Sequence, residues 1–181
     1  MKITMLTRKK STTYLEDNPF VLSENRKTIP VRIWLDNVRS ALNVGSAFRT
    51  SDALGIEKLY LSGITQQPPH KEILKTALGS TQTVSWEYIE NEVSFAKELK
   101  EDGWEIILAE QVEGSIWLQD FEFIKNHKYV IIFGNEVDGV QPLFLPLANA
   151  VVEIPQVGSK HSLNVSVSMG MILWEAFRKL L

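Results

Sequence analysis

The stretch Tyr129-Val130-Ile131-Ile132-Phe133 runs straight into Gly134-Asn135-Glu136-Val137-Asp138-Gly139. Five consecutive β-branched or aromatic residues read as a strand buried on both faces, the pattern of a parallel sheet rather than of a half-solvated one. The turn that follows is polar and flanked by glycines. Gly134 permits a backbone shape, or a close ligand approach, that a Cβ would block, and Gly139 ends the turn. Asn135-Glu136 is a polar pair at the carboxyl end of a buried strand, where α/β proteins place their site residues.

Outward from this segment, apolar runs alternate with helical patterns. Strands are expected at Val31–Leu35, Lys58–Leu61, Val84–Ile89, Glu105–Ala109, Tyr129–Phe133 and Val151–Ile154. Helices are expected near Val44–Leu54, His70–Leu78, Glu92–Glu101 and Pro142–Leu147, with a long last one from about Leu163 to Leu180. This alternation predicts an α/β domain, a mostly parallel sheet flanked by helices, over residues 29–181. Residues 1–28 lack clear periodicity and read as a basic N-terminal extension. No G-x-G-x-x-G occurs, so a dinucleotide-type phosphate loop is absent.

Two further constellations sit at strand ends. Asn37 to Gly55 follows the first strand: Asn43 suits an N-cap, Val44, Ala47, Phe48 and Leu54 form an apolar stripe, and Gly55 is a natural stop. Arg39 and Arg49 bracket the expected helix start, where backbone N–H groups favour an anion and a guanidinium can hold a phosphate or ribose edge with two bonds. By itself Arg49 is equally a solvated helix arginine. Ile154-Pro155 then leads through Gly158 to Ser162-Leu163-Asn164-Val165-Ser166, where Ser162 can cap the final helix and Ser162 and Asn164 could instead bind a ligand.

Composition narrows the chemistry. The 181 residues include no Cys and three scattered His, which excludes a disulfide framework and a cysteine nucleophile and argues against any metal site. MKITMLTRKK has no apolar leader core and no apolar run approaches a bilayer span, so the expectation is a soluble cytoplasmic protein. The net charge of −3 hides a polarised chain: residues 1–50 carry nine basic against four acidic side chains, whereas residues 85–122 carry eleven acidic against two basic. A basic N-terminal region can follow a phosphate backbone while the acidic stretch faces away.

Together the three constellations resemble the SpoU, or TrmH, family of RNA 2′-O-ribose methyltransferases: Asn43-x-Gly45-x-x-x-Arg49 is similar to its first motif, Gly134-Asn135-Glu136-x-x-Gly139 to its second, and Ile154-Pro155 with Ser162–Ser166 to its third. Val137 and Gln156 are small departures from the pattern. The resemblance implies a deep C-terminal trefoil knot, which sequence physics would not propose because knots are rare. It implies S-adenosylmethionine held by the loops containing Gly134, Ile154 and Leu163, with Ala109 and Glu110 at their edge, and no metal. It implies catalysis by Arg49, as proton acceptor or as orienting cation, with Asn43, Glu136, Ser162 and Asn164 positioning it. RNA is the implied partner, met by Arg8, Lys9, Lys10 and Arg39. A homodimer through the final helix makes Trp174 and Phe177 interface candidates, burial within one subunit being the other reading. Transfer RNA is the expected substrate, because 28 residues cannot form a separate RNA-binding domain; ribosomal RNA is the alternative. A catalytically silent RNA-binding module is the alternative of another class.

Overall fold

The structure, a computed structural model, describes residues 27–159 and 162–181. Of the expected extension only Lys27 and Thr28 fall within it, so Arg8, Lys9 and Lys10 lie outside the described residues.

Seven strands form one sheet in which every pairing is parallel. They are β1 (Ile29–Asp36), β2 (Ile56–Ser62), β3 (Ser85–Ile89), β4 (Trp104–Ala109), β5 (Ile116–Trp117), β6 (Lys128–Phe133) and β7 (Ala150–Glu153), arranged β3-β2-β1-β6-β4-β7-β5. Among the described residues four α-helices cover the faces: α1 (Ala41–Ala53), α2 (Lys71–Ala77), α3 (Glu92–Glu101) and α4 (Val165–Leu180). The six expected strands all form, with no end shifted by more than two residues. β5 was not expected, since two residues are too few to show a period.

The central strands are buried on both sides, which is why they read as continuous apolar runs. Val31, Ile33 and Leu35 of β1 pack with Val44 and Phe48 of α1 and with Met169, Ile172 and Leu173 of α4. Trp34 points the other way, packing with Ala96 and Leu99 of α3 and with Phe144, while its indole donates to Ser62 Oγ at 2.8 Å. The helix expected at Pro142–Leu147 forms as a 3₁₀ segment instead. Pro146 lacks the N–H that an α-helical turn would need there.

β6 lies in the middle of the sheet beside β1 and β4, and β7 enters between β4 and β5. The carboxyl ends of β1, β4, β6 and β7 therefore converge along one edge, and the loops leaving them carry all three motifs.

Candidate functional site

Both helix caps differ from expectation, and each difference frees a motif residue. Ser40, not Asn43, caps α1, its side chain accepting from Asn43 N. Asn43 then lies inside the first turn with its carboxamide free to reach other elements. Asn164, not Ser162, caps α4, accepting from Ser166 N at 2.9 Å. Ser162 is left exposed on a cavity wall.

The carboxamide of Asn43, freed from capping, and the N–H₂ that Asn164 keeps beside its cap join the three motifs. Asn43 Nδ2 donates to Glu136 Oε1 at 2.8 Å, and Asn164 Nδ2 donates to Asn43 Oδ1 at 3.3 Å. Arg39 N donates to Glu136 Oε2 at 3.2 Å, and its guanidinium stands 3.5 Å from Asp138. Burial pushes the Glu136 carboxyl up, but donation from Asn43, from its own backbone N–H and from the backbone N–H groups of Arg39 and Ser40 brings it net below the ordinary glutamate range.

Arg49 is not part of this network. It is exposed on α1, makes no ion pair among the described residues and does not line the cavity. Arg39 and Arg49 do lie on either side of the helix start, but unequally: with α1 beginning at Ala41, Arg49 lies eight residues in, about 12 Å along the axis at 1.5 Å per residue.

The motif-two loop is built on its own backbone. Asn135 and Gly139 pair in an antiparallel bridge, Asn135 N donating to Gly139 O at 3.0 Å and Gly139 N returning to Asn135 O at 3.2 Å. Asn135 Oδ1 accepts from Val137 N and Asp138 N. A Cβ on Gly134 would lie 2.0 Å from Gly139 C and 2.1 Å from Val140 N. The structure adds a reason to the two open for this glycine, the close approach of the chain's own Gly139–Val140 peptide.

A cavity of about 380 Å³ opens at the carboxyl ends of β4, β6 and β7. Ala109, Gly134, Ile154 and Leu163, the four expected cofactor residues, all line it, as do Glu136 and Ser162. Asn43, Arg49, Asn164 and Arg39 do not, although Asn43 and Asn164 reach its wall through Glu136. The size falls within the roughly 300–1,000 Å³ of small-molecule sites. Glu110, Glu136 and Glu153 on its wall are held by neutral donors rather than by cations among the described residues: Gln111 N and Val140 N for Glu110, Trp117 Nε1 for Glu153. A wall that mixes apolar side chains with carboxylates that no described cation compensates, Glu153 above all, fits a ligand that carries an apolar body and positive charge, as S-adenosylmethionine does with its sulfonium and ammonium groups.

Sequence reasoning missed Asp36. Its carboxylate, fully buried at the end of β1, accepts from Gln141 N at 2.7 Å, Gln141 Nε2 at 2.6 Å and Asn37 Nδ2 at 2.8 Å. Burial pushes its carboxyl above the ordinary aspartate range against the pull of those donors. A carboxylate closing an apolar strand directly before the Asn37–Gly55 segment was the available signal. Among the described residues, no three His, Cys, Asp or Glu are grouped to hold a metal, and no helix is long and apolar enough to cross a membrane.

Comparison with known proteins agrees with this geometry. Residues 30–174 match the SpoU rRNA Methylase family. The chain is 32% identical to the tRNA (guanosine(18)-2′-O)-methyltransferase of Aquifex aeolicus, over 88% of this chain and 73% of that protein. It is 31% identical to the 23S rRNA (guanosine-2′-O-)-methyltransferase RlmB of Neisseria meningitidis serogroup B, over 94% of this chain and 65% of that protein. The AdoMet-bound rRNA methyltransferase from Sinorhizobium meliloti superposes with a TM-score of 0.77 at 30% identity, over 83% of this chain and 57% of that one. The chain thus belongs to the SpoU family of S-adenosylmethionine-dependent RNA 2′-O-methyltransferases.

Proposed function

We propose that this RNA methyltransferase acts on transfer RNA, at a guanosine of the D loop, with a wobble nucleotide as the alternative position, and that Arg49 is its central catalytic residue. The observation that carries the reading of the site is the Asn164–Asn43–Glu136 chain, which brings all three motifs to one cavity wall. Bound S-adenosylmethionine supplies an electrophilic methyl group. The chain's own task is to align the ribose 2′-hydroxyl and to accommodate its proton. Arg49 either stabilises the developing alkoxide or takes the proton with help from a phosphate; its lack of an ion-pair partner among the described residues leaves the guanidinium available to RNA. Asn43 sits on the same helix and, with Asn164, holds Glu136. Ala109, Gly134, Ile154 and Leu163 hold the cofactor, and Ser162 sits at the mouth.

RNA approaches this mouth along Arg39 and the basic segment 1–28 with Arg8, Lys9 and Lys10. The enzyme works as a homodimer through α4: Val167, Met171 and Trp174 recur at helical spacing and are 50%, 44% and 55% exposed. Trp174 also stacks on Phe177 at 5.7 Å between centroids. Entry of β7 between β4 and β5, which precede it in the chain, supports a C-terminal trefoil knot. Action on transfer RNA places the enzyme in the cytoplasm.

Ribosomal RNA is the competing substrate, supported by the likeness to the meningococcal enzyme. The deciding experiment is methylation of bulk transfer RNA and of 23S ribosomal RNA with labelled cofactor, followed by mass-spectrometric mapping. A 2′-O-methyl nucleoside in transfer RNA alone supports the proposal; label in ribosomal RNA alone overturns it.

A further inference from the structure

Two carboxylates from two different strand ends take two successive backbone N–H groups at the exit of the motif-two loop. Glu110, directly after β4, accepts from Val140 N through Oε2 at 2.8 Å while its Oε1 accepts from Gln111 N at 2.8 Å. Asp36, at the end of β1, accepts from Gln141 N at 2.7 Å and grips the same residue's side chain at 2.6 Å. The fit is close: a Cβ on Gly139, whose φ is +71°, would lie 2.0 Å from Glu110 Oε2. The loop residues 134–139 line the cavity, whereas the N–H groups of 140 and 141 are directed to the two anchors.

We propose that Glu110 and Asp36 are positioning residues that clamp this loop, so that affinity for the cofactor depends on Glu110 as an acceptor for the Val140 N–H rather than as a charge on the ligand. The inference rests on reading the cavity as the cofactor site. Its physical basis is preorganisation. A ligand held by loop backbone binds weakly if the loop must first be ordered, and a pinned loop carries that cost in the folded state. Val140 is buried, so losing Glu110 leaves its N–H without its acceptor, and the loop must shift or draw water in to satisfy it. Asp36 adds a second role by geometry: it joins the loop carrying Glu136 to the segment that leads from β1 through Arg39 to Asn43.

The test is calorimetric titration of S-adenosylmethionine into the full chain and its variants, with melting temperature and single-turnover methyl transfer at saturating cofactor measured on the same samples. Glu110→Ala is expected to weaken binding at least tenfold while the saturated rate stays within about threefold of wild type. Glu110→Gln keeps an acceptor for Val140 N, its N–H₂ falling toward the exposed Gln111 N–H, which can turn to water, and is expected to restore affinity to within about threefold. Asp36→Asn presents an amide to three converging donors and is expected to weaken binding at least threefold; if it does not fold, the Glu110 pair decides alone. Unchanged affinity in Glu110→Ala, or in a folded Asp36→Asn, overturns the clamp. So does a Glu110→Gln protein as weak as Glu110→Ala, which would make the charge itself the contact. A Glu110→Ala rate that falls in step with affinity and melting temperature overturns it as well. A wild-type chain that binds no S-adenosylmethionine overturns the cofactor reading itself.

Discussion

Asn43 donates its carboxamide to Glu136 across 2.8 Å, joining residues 93 positions apart in the chain and two of the three motifs. The bond exists because Ser40 rather than Asn43 caps α1. Glu136→Gln keeps the size of the side chain but turns an amide N–H₂ toward one of the donors, Asn43 Nδ2 or Arg39 N. Saturated turnover is expected to fall about tenfold while cofactor affinity stays within threefold, read by single-turnover kinetics and calorimetry.

The same pair sets a pH signature. Because the Glu136 carboxyl lies below the ordinary glutamate range when folded, the stabilisation from its ionised form is fully present above that range and is lost as pH falls through the lowered value. Thermal melts against pH are expected to show wild type losing its advantage over Glu136→Gln only in that acidic window. A difference that grows between pH 6 and 8 would assign the effect to another group.

Gly134→Ala separates backbone packing from ligand contact. Its Cβ would displace the Gly139–Val140 peptide, so melting temperature should fall and S-adenosylmethionine affinity should drop at least tenfold, about 1.4 kcal/mol, in the same protein. Wild-type stability with weakened binding would mean that the glycine serves the ligand alone.

How much of this was legible in the sequence follows from the range of the interactions. Strands such as Tyr129–Phe133 were visible because burial on both faces is written into composition, and the cavity residues were named through the resemblance to the SpoU family. The caps were not: Ser40 and Asn43, like Ser162 and Asn164, are all competent caps, and tertiary bonds to Glu136 and between the two asparagines decide the outcome. The Asp36–Gln141 contact spans 105 residues and has no local pattern. β5 is two residues long and exists only as a partner of β7.

RNA affinity is expected to fall with salt, because Lys and Arg contacts to phosphate release counterions. Neutralising Arg8, Lys9 and Lys10 together should lower both transfer RNA affinity and its salt slope without altering cofactor affinity, measured by filter binding across ionic strength. Arg39→Ala should act in the same direction but less, since its guanidinium already faces Asp138. An unchanged slope in the triple variant removes residues 8–10 from the RNA surface.

Trp174→Asp puts a charge in the middle of the exposed stripe of α4. Light scattering after size exclusion is expected to show the wild type as a dimer and the variant as a folded monomer. A monomeric wild type would return Val167, Met171 and Trp174 to ordinary surface.

Methyl transfer by Arg49→Ala tests the account most directly, because a solvated helix arginine and a catalytic one give opposite results. With saturating transfer RNA and labelled S-adenosylmethionine, wild type is expected to place the label on a ribose 2′-oxygen. The variant should do so about 10²-fold more slowly or worse, at unchanged cofactor affinity and a stability change under about 0.5 kcal/mol. A folded Arg49→Ala protein that transfers at the wild-type rate, or label found on a base rather than the ribose, would contradict it.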